Sequence, residues 1–391
     1  MTRQHAHAFV LTAMTAALLS ACGGGGGMSV GSSGMGNCEV DPYTGQCRSG
    51  SGTGFGGAGG GNYIANALVT DASSSIQALH NDPELVNAWG LAFNPQGYSW
   101  VANAGTATST LYDGNGVPQP LIVSIPAGAV GNGNPAGIVF NGTTDFAITA
   151  NGSSGAAPFI FATLEGQIAA WSPGVDGTHA FTIVDNGSAG AAYTGLAIET
   201  GANGDRLYAA DFAHGRIDTF DGSFAPAGTS GGFVDPTLPS NYAPFGIQQI
   251  GGRIYVAYAQ VDDATGEEVH AAGAGLVDVF DAQGNLLSHL IPAGGALDAP
   301  WGLAMAPANF GKFSNMLLVG NFGDGMIHAY DPSTGAPQGT VSNNDGSPIV
   351  IDGLWALQFG NGLNSQPTNT LFYTAGPEDE EHGLYGRIDM N

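Results

Sequence analysis

The chain has 391 residues with 65 Gly and 21 Pro, and only 10% of its residues are charged, against about 25% in average soluble proteins. Seven Lys and Arg against 32 Asp and Glu leave a formal charge of -25, and Lys312 is the only lysine. This acidity repels phosphate backbones and anionic lipid head groups, so the composition excludes nucleic-acid binding. One closed all-β architecture can hold a chain of this length, so length alone does not require two domains.

Residues 1–21 have the features of a cleaved export signal. Arg3 precedes an apolar run from about Ala8 to Leu19, which is too short for a stable membrane span. The run ends in Leu-Ser-Ala-Cys, which resembles the bacterial lipobox and implies cleavage before Cys22 and its lipidation. Gly23 follows, as in lipoproteins sent to the outer membrane. We expect an exported bacterial outer-membrane lipoprotein, facing the periplasm or the exterior, with its lipid as the only anchor; a plain signal with a chance cysteine is the alternative.

Residues 22–61 are rich in Gly and Ser, which predicts a flexible tether rather than a domain. Cys38 and Cys47 lie in this segment on either side of the turn-rich Asp41-Pro42-Tyr43-Thr44-Gly45. A local disulfide between them is the interpretation for an oxidising compartment, and two free thiols or a two-cysteine metal site are the alternatives. The folded domain is expected at 62–391.

A short motif centred on glycine recurs along this domain at steps of 47, 58, 51, 56 and 54 residues. Its six copies are Trp89-Gly90-Leu91, Ala136-Gly137-Ile138, Thr194-Gly195-Leu196, Phe245-Gly246-Ile247, Trp301-Gly302-Leu303 and Trp355-Ala356-Leu357. After each copy come further β-patterned stretches separated by turn signals such as Tyr112-Asp113-Gly114-Asn115-Gly116. No segment has the pattern of an amphipathic helix. The repeat therefore predicts an all-β, six-bladed β-propeller with four antiparallel strands per blade.

Two parts of this repeat are irregular. In the second unit, 145–149 and 158–161 compete for the place of the second strand. The chain ends after the third strand of the sixth unit, so that blade lacks its outer strand. Tyr63-Ile64-Ala65-Asn66-Ala67-Leu68-Val69 has the length to supply it, and this pairing would close the ring and remove open sheet edges.

Three stretches resemble a family of exported bacterial β-propeller proteins, some of which carry a C-terminal PEP-CTERM sorting tag. They are Asp82–Pro95, Ser109–Gly116 and Phe159–Ile168. The similarity runs from about Tyr63 to the end of the chain, which has a lipobox and lacks the sorting tag. The repeat is also similar to NHL and SMP-30/gluconolactonase-like propellers. The resemblance implies the fold and export, and it implies no activity.

Loops between second and third strands carry much of the acidity, including 262–268 and 378–381. Asn103, Asp211 and Asn321 end the second strands of units 1, 3 and 5, where propeller lactonases place calcium ligands. A bound Ca²⁺ is therefore one interpretation, and a solvated acidic rim with turn-capping Asn and Asp is the other. No cofactor is required by any motif.

Other candidate ligand residues fall on equivalent positions of several units. His214, His270 and His382 lie on second-to-third loops, where they could assist a hydrolase or bind a transition metal. Trp89, Phe245, Trp301 and Trp355 begin inner strands, where they could stack on a ligand at the channel mouth or pack between blades. Repetition of the position favours packing.

Three functions remain open from the sequence. The first is a monomeric, tethered module that binds an envelope protein or a small ligand outside the cytoplasm. The second is a calcium-dependent lactonase-like hydrolase with Asp211 on the metal. The third is a structural envelope protein.

Overall fold

A computed structural model describes residues 63–201 and 204–391. The predicted signal peptide, the lipidation of Cys22 and the disulfide between Cys38 and Cys47 lie outside these residues. Within the described part of the chain, every helix is too short and too polar to cross a membrane.

The described residues form strands joined by loops and three short 3-10 turns. In chain order the strands are β1 (Tyr63–Thr70), β2 (His80–Asn81), β3 (Ala88–Phe93), β4 (Ser99–Asn103), β5 (Thr108–Tyr112), β6 (Pro118–Ser124), β7 (Pro135–Phe140), β8 (Ala147–Ala150), β9 (Ser153–Ala156), β10 (Phe159–Thr163), β11 (Gln167–Trp171), β12 (Phe181–Asp185), β13 (Tyr193–Glu199), β14 (Arg206–Asp211), β15 (Arg216–Asp221), β16 (Tyr242–Ile250), β17 (Arg253–Gln260), β18 (Gly275–Phe280), β19 (Leu286–Ile291), β20 (Pro300–Met305), β21 (Leu317–Asn321), β22 (Ile327–Tyr330), β23 (Pro337–Thr340), β24 (Leu354–Phe359), β25 (Leu371–Ala375) and β26 (Leu384–Met390). The 3-10 turns are Ala104–Thr106, Gly187–Ala189 and Gly311–Phe313.

These strands form a six-bladed β-propeller, as the repeat predicts. The blades are β3-β4-β5-β6, β7-β10-β11-β12, β13-β14-β15, β16-β17-β18-β19, β20-β21-β22-β23 and β24-β25-β26-β1, numbered 1 to 6. The two-residue β2 pairs parallel with β1 as a fifth strand at the outer edge of blade 6. An apolar core fills each junction between neighbouring blades, and a seventh lies on the axis. Burial of these faces on both sides of each sheet is what holds the blades in a ring.

The N-terminal strand closes the ring, as expected from the missing outer strand of the last blade. β1 pairs antiparallel with β26, from Tyr63 opposite Met390 to Thr70 opposite Leu384. The buried Tyr63 hydroxyl donates to the Phe310 carbonyl oxygen at 2.8 Å and accepts from the Phe313 amide at 3.2 Å. Closure therefore joins the two ends of the propeller and anchors β1 on blade 5.

Blades 2 and 3 depart from the regular pattern. In blade 2, β10 is the second strand, while β8 and β9 form a separate hairpin between the first and second strands. Blade 3 has a three-stranded sheet, and an irregular segment takes the place of its outer strand. That segment contains Pro226, Gly228, Gly231 and Gly232, which disfavour a regular ladder.

The recurring glycine lets the inner strands approach each other closely. A Cβ on Gly90, Gly137, Gly246 or Gly302 would collide with the backbone of the next blade. The sixth copy has Ala356 instead, and there a threonine hydroxyl bridges the strands. Thr374 Oγ1 accepts from the Ala356 amide at 3.1 Å and donates to the Trp89 carbonyl. The motif is therefore an architectural requirement of the inner ring.

Candidate functional site at the channel mouth

The second-to-third loops and the connections between blades lie on the same face, as the sequence predicts. The start of each first strand is opposite the end of the second, for example Ala88 opposite Asn103 and Tyr193 opposite Asp211. We call this side of the ring the upper face. Side chains from all six blades can therefore meet where the upper face crosses the axis.

Aromatic rings close the channel at this level. Trp355 is fully buried between two parallel rings, with centroid distances of 3.5 Å to Trp89 and 3.9 Å to Phe322. Phe245 and Trp301 meet the edges of this stack at 5.8 and 6.0 Å from Trp355. These five residues and Phe212 form the axial plug. Such stacked and edge contacts stabilise the centre of the ring beyond simple area burial.

In three blades a large residue of the plug has a small residue at the end of the second strand. In blade 1 the large Trp89 is paired with the small Ala104 after the second strand, and in blade 4 Phe245 is paired with Ala259. In blade 6 the corresponding small residue is Gly376, where a Cβ would lie 3.2 Å from Trp355 Nε1. The inner strands below the plug line a cavity of about 20 Å³, which is room for one water molecule.

Glu380 lies above the plug on a strained loop between β25 and β26. Glu378, Asp379 and Glu380 have φ values of 58°, 57° and 63°, a run of left-handed conformation. Each such residue costs about 1–2 kcal/mol relative to the right-handed conformation. Contacts with the N-terminal segment hold the loop, since Ser75 donates to Glu378 Oε1 at 2.5 Å. Strain concentrated in this way is typical of functional loops.

The Glu380 carboxyl group is largely buried and is held by the first blade. Asn87 Nδ2 donates to Glu380 Oε2 at 2.6 Å. Burial raises the pKa of Glu380 to about 7, and the nearby charge of Glu268 adds to this rise. The hydrogen bond from Asn87 opposes it. Glu380 therefore changes its charge near neutral pH.

Blades 4 and 5 add further charged groups to the mouth. Glu268 Oε1 lies 3.5 Å from His270 Nε2, and this interaction raises the pKa of His270. The charges of Asp298 and Glu380 raise it further, while burial opposes the rise. The His270 ring meets Phe322 of the plug edge-on at 5.1 Å. We call Glu268, His270, Asp298 and Glu380 the acidic mouth.

The three proposed calcium ligands are completely buried, each within its own blade. Asn103 Nδ2 donates to the Thr108 and Thr110 hydroxyls at 3.1 and 3.0 Å. Asn321 Nδ2 donates to the Ala296 carbonyl, in the connection between blades 4 and 5, at 2.9 Å and to Asp324 Oδ1 at 3.0 Å. Asp211 accepts the Ala192 amide at 3.1 Å and lies 2.7 Å from His214 Nδ1.

The three equivalent histidines each pair with a different carboxylate. His214 Nδ1 lies 2.7 Å from Asp211, and His270 Nε2 lies 3.5 Å from Glu268. His382 Nδ1 lies 2.8 Å from Asp71, which ties the last blade to the N-terminal segment. Of the three, only His270 belongs to the acidic mouth.

Two arrangements were not singled out from the sequence. The acidic run 378–381 was visible, but the placement of Glu380 depends on its left-handed loop and on Asn87 of another blade. The second arrangement is a group of Asp235, Asp278 and His289, whose ligand atoms lie within 4.8 Å of one another. Asp235 comes from the irregular segment of blade 3, for which no repeat pattern exists.

Comparison with known proteins places the chain in a family. It matches uncharacterized protein R648 of Acanthamoeba polyphaga mimivirus with 33% identity over 331 residues, covering 83% of this chain and 79% of that protein. Uncharacterized protein L690 of the same virus is 31% identical over 331 residues, covering 83% of this chain and 84% of that protein. The chain belongs to the family of these proteins. No model of a known protein family matches it.

Solved structures resemble the chain at low identity, with TM-scores below 0.5. A protein of unknown function from Bacteroides thetaiotaomicron has a TM-score of 0.48 at 10% identity, covering 84% of this chain and 76% of that one. A glucose dehydrogenase has a TM-score of 0.47 at 12% identity, covering 84% of this chain and all of that one (100%). Virginiamycin B lyase from Staphylococcus aureus has a TM-score of 0.41 at 13% identity, covering 77% and 80%. These similarities concern the fold alone.

Proposed function

We propose that the propeller is the binding module of an envelope-tethered lipoprotein and that it holds a cationic ligand at the acidic mouth. The observation that carries this proposal is the placement of Glu380, a largely buried carboxyl group held by Asn87 above the axial plug. A buried carboxyl group with a strongly raised pKa is typical of ligand-binding and catalytic positions.

The charges of the mouth favour a positive ligand. The acidic mouth has three carboxyl groups and one basic side chain, His270. The charges of Glu268, Asp298 and Glu380 raise the pKa of His270, and the charge of Glu268 raises that of Glu380. A ligand ammonium or guanidinium group would offset the repulsion between Glu268 and Glu380. It would also make cation–π contacts with the aromatic rings of the axial plug. The formal charge of -25 extends this attraction over the whole surface.

The tether gives the module its place in the cell. The export signal and lipobox before Cys22 and the Gly- and Ser-rich residues 22–61 support attachment to the bacterial outer membrane, as in the exported bacterial propellers that the motifs resemble. Loss of acyl-chain labelling in a Cys22→Ala variant, with the protein released from membranes, is the expected result. Acyl-chain labelling that persists in the Cys22→Ala variant would contradict lipid attachment at Cys22.

A hydrolase is the second candidate function, because a carboxyl group with a pKa near 7 can accept a proton at neutral pH. The calcium-dependent lactonase form of this hypothesis needs Asn103, Asp211 and Asn321 on one ion. The Asp211 carboxylate is already held by the Ala192 amide and by His214, whereas Asn103 Oδ1 and Asn321 Oδ1 accept no hydrogen bond from the described residues. We rank binding first because Glu380 lies at the mouth, while no contact joins these three side chains to one another. A screen with lactones and phosphoesters, with and without Ca²⁺, separates the two functions. A structural envelope role would give neither binding nor turnover.

The test of binding uses thermal shift with three probes of different charge. Agmatine carries an ammonium and a guanidinium group, glucose is neutral and glutarate is a dianion. We expect agmatine alone to raise the melting temperature, because it binds only the folded state. Glu380→Gln should weaken this effect at least tenfold, and Glu381→Gln, which removes an exposed charge beside it, should leave it unchanged. Equal agmatine effects in both variants, or none in the wild type, would overturn the proposal.

A further inference from the structure

The junction between blades 3 and 4 contains two carboxylates and one imidazole in direct contact. Asp278 of β18 and His289 of β19 lie opposite each other in the sheet, and Asp235 approaches from the irregular segment of blade 3. His289 Nδ1 is 2.7 Å from Asp278 Oδ1 and 3.2 Å from Asp235 Oδ2. The three groups therefore share one small volume.

Both carboxylates are completely buried, with 0% side-chain exposure. Asp278 Oδ2 accepts no hydrogen bond from the described residues, and Asp235 Oδ2 has the His289 Nδ1 contact at 3.2 Å without a well-formed hydrogen bond. The other oxygen of Asp235 is fixed by the Thr237 amide and hydroxyl, both at 2.7 Å. Burying a carboxylate costs free energy unless opposite charges and hydrogen bonds offset its loss of hydration. One imidazolium carries a single positive charge and cannot neutralise two carboxylates. The junction is therefore built to receive positive charge.

We propose that Asp235, Asp278 and His289 form a binding site for a divalent transition-metal ion of the zinc type. Their ligand atoms lie within 4.8 Å of one another, as one shared ion requires. Zinc bonds of about 2.0–2.1 Å in a tetrahedral site separate neighbouring ligand atoms by about 3.3 Å. The distances of 2.7 and 3.2 Å from His289 Nδ1 need only a small widening when the ion replaces its proton.

The type of ligand selects the class of metal. One imidazole nitrogen and two carboxylate oxygens suit zinc and its first-row neighbours, whereas Ca²⁺ takes six to eight oxygen ligands. The His289 side chain is 34% exposed, so the third ligand faces solvent and a water molecule can complete the coordination. Thr237 fixes the orientation of Asp235, as outer hydrogen bonds do around metal ligands.

The ion would cross-link the irregular segment of blade 3 to blade 4. Blade 3 lacks an outer strand in its sheet, and the segment that replaces it carries Asp235. Binding to Asp235, Asp278 and His289 would join this segment to the outer two strands of blade 4. The folded chain should therefore be stabilised by zinc, because unfolding separates the three ligands.

The experiment uses the full chain after removal of metal, with Zn²⁺ and Co²⁺ as probes. We expect one zinc ion per chain that depends on His289, a rise in melting temperature, and the intense visible absorption of tetrahedral Co²⁺. Both His289→Gln and Asp278→Asn should weaken zinc binding at least tenfold. Subtracting the His289→Gln result removes any zinc held by Cys38 and Cys47.

His214→Gln is the matched control, because His214 Nδ1 also lies 2.7 Å from a buried carboxylate, that of Asp211. There, however, Arg216 lies 3.5 Å from the same carboxylate and already supplies a positive charge. Zinc binding and the Co²⁺ spectrum should be unchanged in this variant. The proposal is overturned if the wild type and His289→Gln bind the same amount of zinc, if Co²⁺ gives only an octahedral spectrum, or if Ca²⁺ stabilises the chain and zinc does not.

Discussion

Asn87 Nδ2 donates a 2.6 Å hydrogen bond to Glu380 Oε2, which joins the first blade to the last at the centre of the upper face. The loop that carries Glu380 is also held from outside by the N-terminal segment, through His382 and Asp71 at 2.8 Å. Closure of the ring and construction of the acidic mouth therefore depend on the same junction. A change that loosens the closure should alter the candidate site.

Removal of the closing strand is the first prediction. A variant that lacks residues 62–71 should melt at a lower temperature and aggregate, because it exposes the edge of β26 and the apolar surface beneath Tyr63. A variant that lacks 23–61 should melt like the full chain. Thermal unfolding by circular dichroism measures both, and equal melting of the two deletions would contradict the closure.

The inner glycine ring gives a second prediction. Gly246→Ala should lower the free energy of unfolding by about 1–3 kcal/mol, because the new Cβ would press on the Trp301 backbone. Gly295→Ala is the control, since a Cβ there has no atom within 4 Å. Urea unfolding compares the two variants. A Gly246→Ala protein as stable as Gly295→Ala would show that the strands have room to spare.

The axial plug gives a third prediction. Trp355→Ala should cost about 3–5 kcal/mol of unfolding free energy, because it empties the space between Trp89 and Phe322. Trp355→Phe keeps an aromatic ring in the stack and should cost less. Urea unfolding followed by fluorescence gives both values. Equal losses in the two variants would mean that stacking at this position contributes little.

The pH dependence of stability gives a fourth prediction. The folded chain keeps the Glu380 proton up to pH of about 7, whereas the unfolded chain releases it near its ordinary pKa of 4.5. This group therefore makes stability fall as pH rises through that interval, by on the order of 3 kcal/mol in total. Glu380→Gln should remove this part of the slope, and the exposed Glu381→Gln should not. Parallel stability curves for wild type and Glu380→Gln would contradict the raised pKa.

The fold was predictable because its signals are local and repeated. Five of the six inner strands have this glycine, and at four of them a Cβ would collide with the backbone of the next blade, so the motif reveals the number of blades. The missing outer strand of blade 6 likewise predicts its partner β1, which the sheet order confirms. Blade 3 was harder, because the irregular segment after β15 follows no repeat.

The candidate site was predictable only in part. The acidity of the upper loops is visible in the sequence. The left-handed conformation of 378–380, which turns Glu380 towards Asn87, was not predictable, because these positions have no glycine that would indicate a positive φ. The four aromatic residues at the inner-strand starts left two alternatives, and their meeting on the axis depends on small partners such as Gly376 in other strands. Asp235 and His289 meet across a blade junction, which no spacing along the chain encodes.

The most direct test of the acidic mouth is calorimetry of agmatine binding at pH 7 in two buffers of different ionisation enthalpy. A cation that binds against Glu380 favours its charged form and releases a proton, so the observed enthalpy should differ between the buffers. The difference should disappear in Glu380→Gln. Equal enthalpies in the two buffers for the wild type, or the same proton release in Glu380→Gln, would contradict the role of this residue.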